Sequence, residues 1–309
     1  MADEAKLNNV FDILVIGSGP SGLTAAIYGV RANKSVGVVL GPERGGQLMR
    51  TTDVENYPGF ANGIQGPDLM DAMYQQAQHQ GAHMIDGTIT GFVKDGDYFI
   101  ISLENGHSLS SRVLIIATGA NAKLLGIEGD LWGRGISACA TCDGAFFRNK
   151  NVAVIGGGNS ALEESLYLSN IAQRVYLVHR RTAFRGEAVL HKRVLNNPKI
   201  EIVWPYEVAK FLGDKKLQAL ELRNTENGNM SHLEVDGAFV AIGHEPNTGF
   251  LNGILELEDG YVKDGPATHI PGLYVAGDVF DSRYRQAVTA AGYGCMAALD
   301  ALKYLDSCA

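Results

Sequence analysis

The chain has 309 residues, 46% hydrophobic and 19% charged, with a formal net charge of −8. That length allows two domains with full cores, and the composition excludes a disordered chain. The negative balance, with no block of Lys or Arg, argues against nucleic acid or an anionic membrane surface as a partner, and the longest apolar runs fall far short of the roughly 18 residues that a bilayer span requires.

Residues 1–9 are polar, carry Asp3 and Glu4 and lack the basic and apolar regions of a secretory signal, so a cytoplasmic location is expected. Residues 11–16 read as a buried strand, 17–22 as a tight turn, 23–32 as an Ala-rich helix and 35–40 as a second strand. The same order returns at residues 151–155, 156–158, 159–172 and 174–178, which predicts an internal duplication of a nucleotide-binding architecture. Residues 113–117 and 239–242 read as the closing strands of the two copies, and residues 273–276 and 287–305 as a last strand and helix. The fold class expected is α/β, with two Rossmann-like dinucleotide-binding domains, the second inserted in the first. The boundaries are set at 1–119 with 248–309 for one domain and 120–247 for the other.

Gly17-Ser18-Gly19-Pro20-Ser21-Gly22 matches G-x-G-x-x-G directly after a strand and at the start of a helix. Glycines there allow the turn, a close backbone approach to a pyrophosphate and tight packing of helix on strand, while the helix N-terminus faces the negative charge. The second strand ends without a carboxylate at its tip, which leaves Glu43 as the nearest group for ribose hydroxyls. The second turn, Gly156-Gly157-Gly158-Asn159-Ser160-Ala161, carries alanine at its third position. Its following strand ends in His179-Arg180-Arg181, with Arg185 close behind. Guanidinium groups bind phosphate oxygens through paired donors, so this copy favours NADPH over NADH.

Cys139-Ala140-Thr141-Cys142 is a CxxC pair, and four cysteines (139, 142, 295, 308) are too few for a disulfide framework. Structural zinc needs four ligands, and no second CxxC or His pair lies at a suitable spacing, so redox chemistry is preferred and no metal is expected. Asp143 follows directly; on its own it reads first as a turn residue and second as the donor or acceptor of the proton that dithiol exchange requires. Cys295 reads as a small buried hydrophobe and Cys308 as a free thiol near the tail.

With these elements in this order, the sequence resembles the low-molecular-weight thioredoxin reductases almost end to end. The resemblance rests on the two glycine turns, Gly45-Gly46-Gln47-Leu48, Val54-Glu55-Asn56-Tyr57-Pro58-Gly59, Ala117-Thr118-Gly119, Ser137 to Gly144, His179 to Arg185, Gly277-Asp278 and Tyr284-Arg285-Gln286-Ala287. It implies that the first turn (Gly17, Gly19, Pro20, Ser21, Gly22) binds FAD, together with Glu43, Gly46, Gln47, Asn56 and Gly119. Gly277 and Asp278 would meet the FAD phosphate and ribitol region, and Arg285, Gln286 and Ala287 the isoalloxazine edge. The second turn (Gly156, Gly158, Asn159, Ser160) would bind NADPH, with His179, Arg180, Arg181, Arg185, Ile242 and Gly243.

By the same resemblance Cys142 faces the flavin, Cys139 attacks the partner and Asp143 is the acid. The implied activity is reduction of oxidised thioredoxin by a homodimer, in which the inserted domain turns so that nicotinamide and the Cys139/Cys142 disulfide meet the flavin alternately. The alternative acceptor is a glutaredoxin-like or peroxiredoxin-linked protein. One departure stands in the partner-facing stretch: many members carry two aromatics directly after the glycine, where this chain reads Gly144-Ala145-Phe146-Phe147.

Overall fold

The structure, a computed structural model, describes residues 10–51 and 53–308, so residues 1–9, on which the expected location rests, lie outside the described part. The chain forms two compact units, one from its two ends (through Asn121 and from Glu245) and one spanning Ala122–His244. Among the described residues, six α-helices occur in chain order: α1 (Pro20–Arg31), α2 (Gly66–His79), α3 (Ala140–Asp143), α4 (Asn159–Leu168), α5 (Ala188–Leu195) and α6 (Ala287–Ser307).

In the unit built from the chain ends, the strand Val10–Ile16 lies between Val36–Val39 and Ser108–Ile116, parallel to both. His83–Ile85 extends the parallel part on one side and Leu273–Val275 on the other. Tyr98–Leu103 and Ile89–Asp95 continue it as an antiparallel meander, making seven strands. Period-two alternation splits the apolar side chains between two cores. Ile13 and Val15 join α1, α2 and α6 on one face, while Leu14 and Ile16 join Phe92, Phe99 and Ile101 of the meander on the other. Burial on both faces is why the strand reads as a continuous apolar run.

The Ala122–His244 unit repeats this plan. Asn151–Ile155 lies between Arg174–Val178 and Gly237–Val240, with Ile200–Val203 outside the former and Ile136–Ser137 outside the latter, all parallel. A three-stranded antiparallel meander (Tyr206–Gly213, Leu217–Asn224, Met230–Glu234) covers one face, and α4 and α5 cover the other. The plans differ in the origin of the outermost strand beyond the closing strand. Leu273–Val275 comes last in its unit, whereas Ile136–Ser137 precedes the first strand of its own. That inversion brings the CxxC segment onto the sheet.

One helix differs from the expectation. The element predicted over 159–172 ends at Leu168. Ser169 Oγ donates to Leu166 O, and Asn170 Nδ2 donates to Leu166 O and Tyr167 O. Such side chains compete with the helical backbone for its last carbonyls and stop the helix.

Candidate functional site

Register places the predicted residues at strand ends. Ile16 pairs with Val39 and with Ile116, and Ile116 pairs with Val275. Gly17, Gly119 and Gly277 therefore all follow the C-terminal edge of one parallel sheet, where open α/β sheets form their ligand crevice. Gly17 has φ +114°, and a Cβ there would sit 2.3 Å from Ala117 O. A Cβ on Gly22 would sit 1.9 Å from Gly17 O, so no other residue lets α1 start this close to the turn. Gly19 is the N-cap of α1, Pro20 opens the helix, and open space surrounds the Gly19 position, which leaves the backbone approachable.

Ser18, which sequence reasoning passed over, is buried and ties the site together. Its hydroxyl donates to Leu40 O at 2.7 Å and accepts from Gly45 N at 3.0 Å, so the first turn holds the loop after the second strand. In that loop Glu43 accepts from Arg50 Nε at 2.7 Å, and Gly46 opens a short 3₁₀ turn that carries Gln47. Gln47 Nε2 donates to Asn121 Oδ1 at 2.7 Å, Asn121 Nδ2 donates to Asn247 Oδ1, and Asn247 Nδ2 donates to Thr118 O. Asn121 and Asn247 were not foreseen, because nothing in the local sequence shows that residues 126 apart will meet. Asn56 Nδ2 donates to Gln286 Oε1 at 3.3 Å, which unites two predicted residues 230 apart.

At the far end of the edge, a Cβ on Gly277 would lie 2.7 Å from Ser21 Oγ, and one on Gly294 of α6 would lie 2.0 Å from Ser21 O. This close approach brings Asp278 and the start of α6 to the first turn. Asp278 Oδ1 is buried without a hydrogen-bond partner. Burial raises its carboxyl to about 7, the neighbouring Asp281 adds to the rise and Arg285 opposes it. Asp281 Oδ1 accepts from Arg283 N and Tyr284 N, while its Oδ2 is also buried and unpartnered. Arg285 adopts φ +48° and donates to the Tyr261 hydroxyl, and Gln286 caps α6 so that Ala287 is its first residue. A glycine cradle at a helix N-terminus, beside a buried carboxylate lacking a donor, suits a dinucleotide that brings phosphates and hydroxyl groups. The residues present fit a flavin dinucleotide.

In the Ala122–His244 unit, Ile155 pairs with Val178 and Val240, which puts Gly156, His179 and the 241–243 segment at one edge. Gly156 has φ +154°, and a Cβ there would lie 2.3 Å from Ala241 O. Gly158 is the N-cap of α4, which opens with Asn159 and Ser160. Ile242 joins the core on the meander side, and Gly243, at φ +108°, accepts from Lys123 N. His179 is buried, and its Nε2 lies 3.2 Å from Ala183 O; a carbonyl only accepts, so Nε2 carries the proton. Burial lowers its pKa below the ordinary value, against the Ala183 hydrogen bond, and Arg185, Arg181 and Arg180 lower it further. Those three arginines are exposed, and among the described residues no carboxylate forms a salt bridge with them. Unpaired guanidinium groups beside a dinucleotide turn are free to take a phosphate.

Ser137 pairs with Phe239 and ends its strand at this same edge. Cys139 follows two residues later and caps α3, so the CxxC follows a strand two places across the sheet from the one that leads into the second turn. Cys139 and Cys142 form a disulfide with S–S 2.07 Å. Cys142 N donates to Cys139 Sγ at 3.2 Å, Thr141 Oγ1 lies 3.4 Å from the same sulfur, and Cys139 N donates to Ser137 Oγ. Asp143 closes α3, with its N–H on Cys139 O. Both cysteines and Asp143 are half-buried. Of the two phenylalanines that follow, only Phe146 is exposed. Phe147 packs edge-on against Phe239 and covers Gly237, where a Cβ would meet its ring at 2.3 Å.

Cys295 departs from its sequence reading. It is half-buried rather than buried and shares a hydrogen bond with the Tyr28 hydroxyl, because its position on α6 faces α1 at the surface. Cys308 is exposed and unbridged. Among the described residues, no cluster of three His, Cys, Asp or Glu could hold a metal ion, and no helix is long and apolar enough to cross a membrane.

Residues 11–294 match the family model described as pyridine nucleotide-disulphide oxidoreductase. The chain is 48% identical to a thioredoxin reductase of Escherichia coli O157:H7, over 96% of this chain and 97% of that one. It is 45% identical to a bifunctional thioredoxin reductase/thioredoxin of Mycobacterium leprae, over 96% of this chain and 66% of that one. The crystal structure of thioredoxin reductase from Streptococcus pyogenes superposes with TM-score 0.92 at 37% identity, covering 97% and 99% of the two chains. Membership implies a flavin and a pyridine nucleotide. A family match over residues 11–294, relatives near half identity and a bonded CxxC at the edge that carries the second glycine turn lead to one assignment: the chain belongs to the thioredoxin reductases of the pyridine nucleotide-disulphide oxidoreductase family.

Proposed function

We propose that the chain passes electrons from NADPH, by way of FAD, to the Cys139–Cys142 disulfide and from there to an oxidised thioredoxin or similar small dithiol protein. The observation that carries this reading is the bonded pair on the same sheet edge as a glycine turn whose nearby arginines form no salt bridge among the described residues. Residues 1–119 and 248–309 are read as the FAD-binding domain and residues 120–247 as the NADPH-binding domain.

FAD would be held by the Gly17–Gly22 turn, Gly46, Gly119 and Gly277, with Glu43 toward the ribose and Asp278 accepting from ribitol hydroxyls. Gln47, Asn56, Arg285, Gln286 and Ala287 would border the isoalloxazine. Gly156, Gly158, Asn159 and Ser160 would take the pyrophosphate of NADPH, Arg180, Arg181 and Arg185 its 2′-phosphate, and Ile242 and Gly243 its far end. When bound, the flavin supplies a two-electron relay between a hydride donor and a disulfide.

Two electrons and two protons break the Cys139–Cys142 bond and leave a dithiol. Cys139 is read as the attacking sulfur, because the Cys142 N–H donates to its Sγ and the Thr141 hydroxyl lies 3.4 Å from it. Asp143 takes the Cys139 proton, Cys139 Sγ attacks the partner's disulfide to form a mixed disulfide, and the expelled second sulfur of the partner receives that proton from Asp143. Asp143 then takes the Cys142 proton, Cys142 Sγ attacks Cys139 Sγ, and the partner leaves as a dithiol while the Cys139–Cys142 bond re-forms.

The M. leprae relative, whose printed name joins reductase and thioredoxin in one chain, supports thioredoxin as the partner. Exposed Val288, Met296 and Leu299 on α6, with Tyr28 of α1, support a homodimer through the unit built from the chain ends. The enzyme is read as cytoplasmic, from the polar residues 1–9. The test is steady-state NADPH oxidation by the purified flavoprotein with thioredoxin, a glutaredoxin or a peroxiredoxin as sole acceptor. Consumption with thioredoxin, matched by thiol formed, upholds the reading. Consumption confined to another acceptor overturns it.

A further inference from the structure

The arginines that would bind the 2′-phosphate are exposed and form no salt bridge among the described residues, yet the loop that carries them is fastened to the second glycine turn at several points. The His179 ring lies directly under Gly157, where a Cβ would come within 2.3 Å of it. Arg185 N donates to Gly157 O at 2.7 Å. Glu187 N donates to Asn159 Oδ1 at 2.8 Å, and Thr225 Oγ1 donates to Arg180 O at 3.0 Å. Between these ties sits Phe184. Its ring contacts His179 at 5.8 Å, His191 at 5.4 Å and Trp204 at 5.0 Å between centroids. These three partners come from the end of a strand, from α5 and from the loop after the Ile200–Val203 strand.

We propose that Phe184 is a positioning residue for cofactor choice: its ring locks the 179–187 loop so that Arg180, Arg181 and Arg185 are held ready for a 2′-phosphate. This rests on the reading that the Ala122–His244 unit binds NADPH. Side chains as long as arginine lose much rotamer freedom when they clamp a ligand, and a loop fixed beforehand lowers what remains to be ordered at binding. Phe184 thereby acts on the 2′-phosphate without touching it. It has no corresponding effect on a cofactor that lacks that group.

The test measures binding of NADP⁺, NAD⁺ and adenosine 2′,5′-bisphosphate to the oxidised flavoprotein by calorimetry, for the wild type, Phe184→Ala, the ring-retaining Phe184→Tyr and Arg181→Ala. Phe184→Ala is expected to weaken NADP⁺ and the bisphosphate by about tenfold while NAD⁺ changes less than about twofold, and Phe184→Tyr is expected to bind as the wild type does. If Phe184→Ala does not fold, Phe184→Leu carries the same comparison, with a smaller loss in the same direction. Equal weakening of NADP⁺ and NAD⁺ by Phe184→Ala, or no weakening of either, overturns the proposal. Loss of NADP⁺ preference in Arg181→Ala alone would leave the NADPH reading standing and remove only the role of Phe184. No preference in the wild type would remove both.

Discussion

The backbone N–H of Cys142 points at Cys139 Sγ across 3.2 Å, so the second cysteine of the pair supplies a hydrogen bond to the first. That polarity makes the two sulfurs unequal before any partner arrives. Changing either cysteine to Ser should abolish reduction of thioredoxin while leaving flavin binding and NADPH-dependent bleaching of the flavin absorbance intact, because neither residue belongs to a glycine turn or to the basic loop. Cys139→Ser should also fail to trap a mixed disulfide with thioredoxin, whereas Cys142→Ser should accumulate one on a non-reducing gel. The reverse pattern would exchange the two roles.

Arg180→Ala and Arg181→Ala should each raise the KM for NADPH about tenfold and leave the KM for NADH nearly unchanged. A charge-assisted hydrogen bond is worth roughly 1.5–3 kcal/mol, and exposure of these groups calls for the lower part of that range. Parallel losses for both cofactors would show that the loop supports the turn and does not read the phosphate.

Asp278 gives a pH prediction for the flavin-free chain. Its carboxyl, raised to about 7 by burial first and Asp281 second, binds a proton in the folded state that the unfolded chain has released above its ordinary carboxylate range. The unfolded state then holds fewer protons between about pH 4 and 7, so this group's contribution is fully present at low pH and is lost as pH rises through that window. The loss is on the order of 2–4 kcal/mol. Urea midpoints at pH 5 and pH 8 should therefore differ less for Asp278→Asn than for the wild type. An unchanged difference would mean that the carboxyl titrates normally.

Gly22→Ala should destabilise the chain strongly, by about 3 kcal/mol or more, since its Cβ would fall 1.9 Å from the Gly17 carbonyl oxygen and backbone would have to move. Thermal unfolding of the flavin-free protein checks this. Gly19→Ala, in open space, should unfold at nearly the wild-type temperature and lose flavin affinity instead.

The fold was legible wherever an apolar run met a glycine turn. Val10–Ile16 and Asn151–Ile155 are buried on both faces, so their pattern is continuous and their strand character plain. The end of α4 was not, because Ser169 and Asn170 suit a helix by composition and terminate it only through side-chain bonds to Leu166 and Tyr167. In the site, glycines and the CxxC announce themselves by spacing. Ser18, Asn121 and Asn247 do not, since each acts through a partner that the topology brings near from far along the chain, and Phe184 does not, since its ring joins three separate segments. Phe146 and Phe147 are not told apart by sequence, yet Phe147 packs over Gly237 and only Phe146 is exposed. Cys295 was misread for a similar reason, as an apolar helix still has one wet edge, where Tyr28 meets it.

The central claim, that electrons from NADPH pass into the Cys139–Cys142 bond, is tested most directly by counting thiols. The oxidised flavoprotein is mixed anaerobically with limiting NADPH, quenched in denaturant and titrated with a thiol reagent, with Cys295 and Cys308 as the internal baseline. The account predicts two new thiols for each NADPH consumed, mapped by alkylation to Cys139 and Cys142. Consumption of NADPH and bleaching of the flavin with no thiol gained at those positions would contradict it.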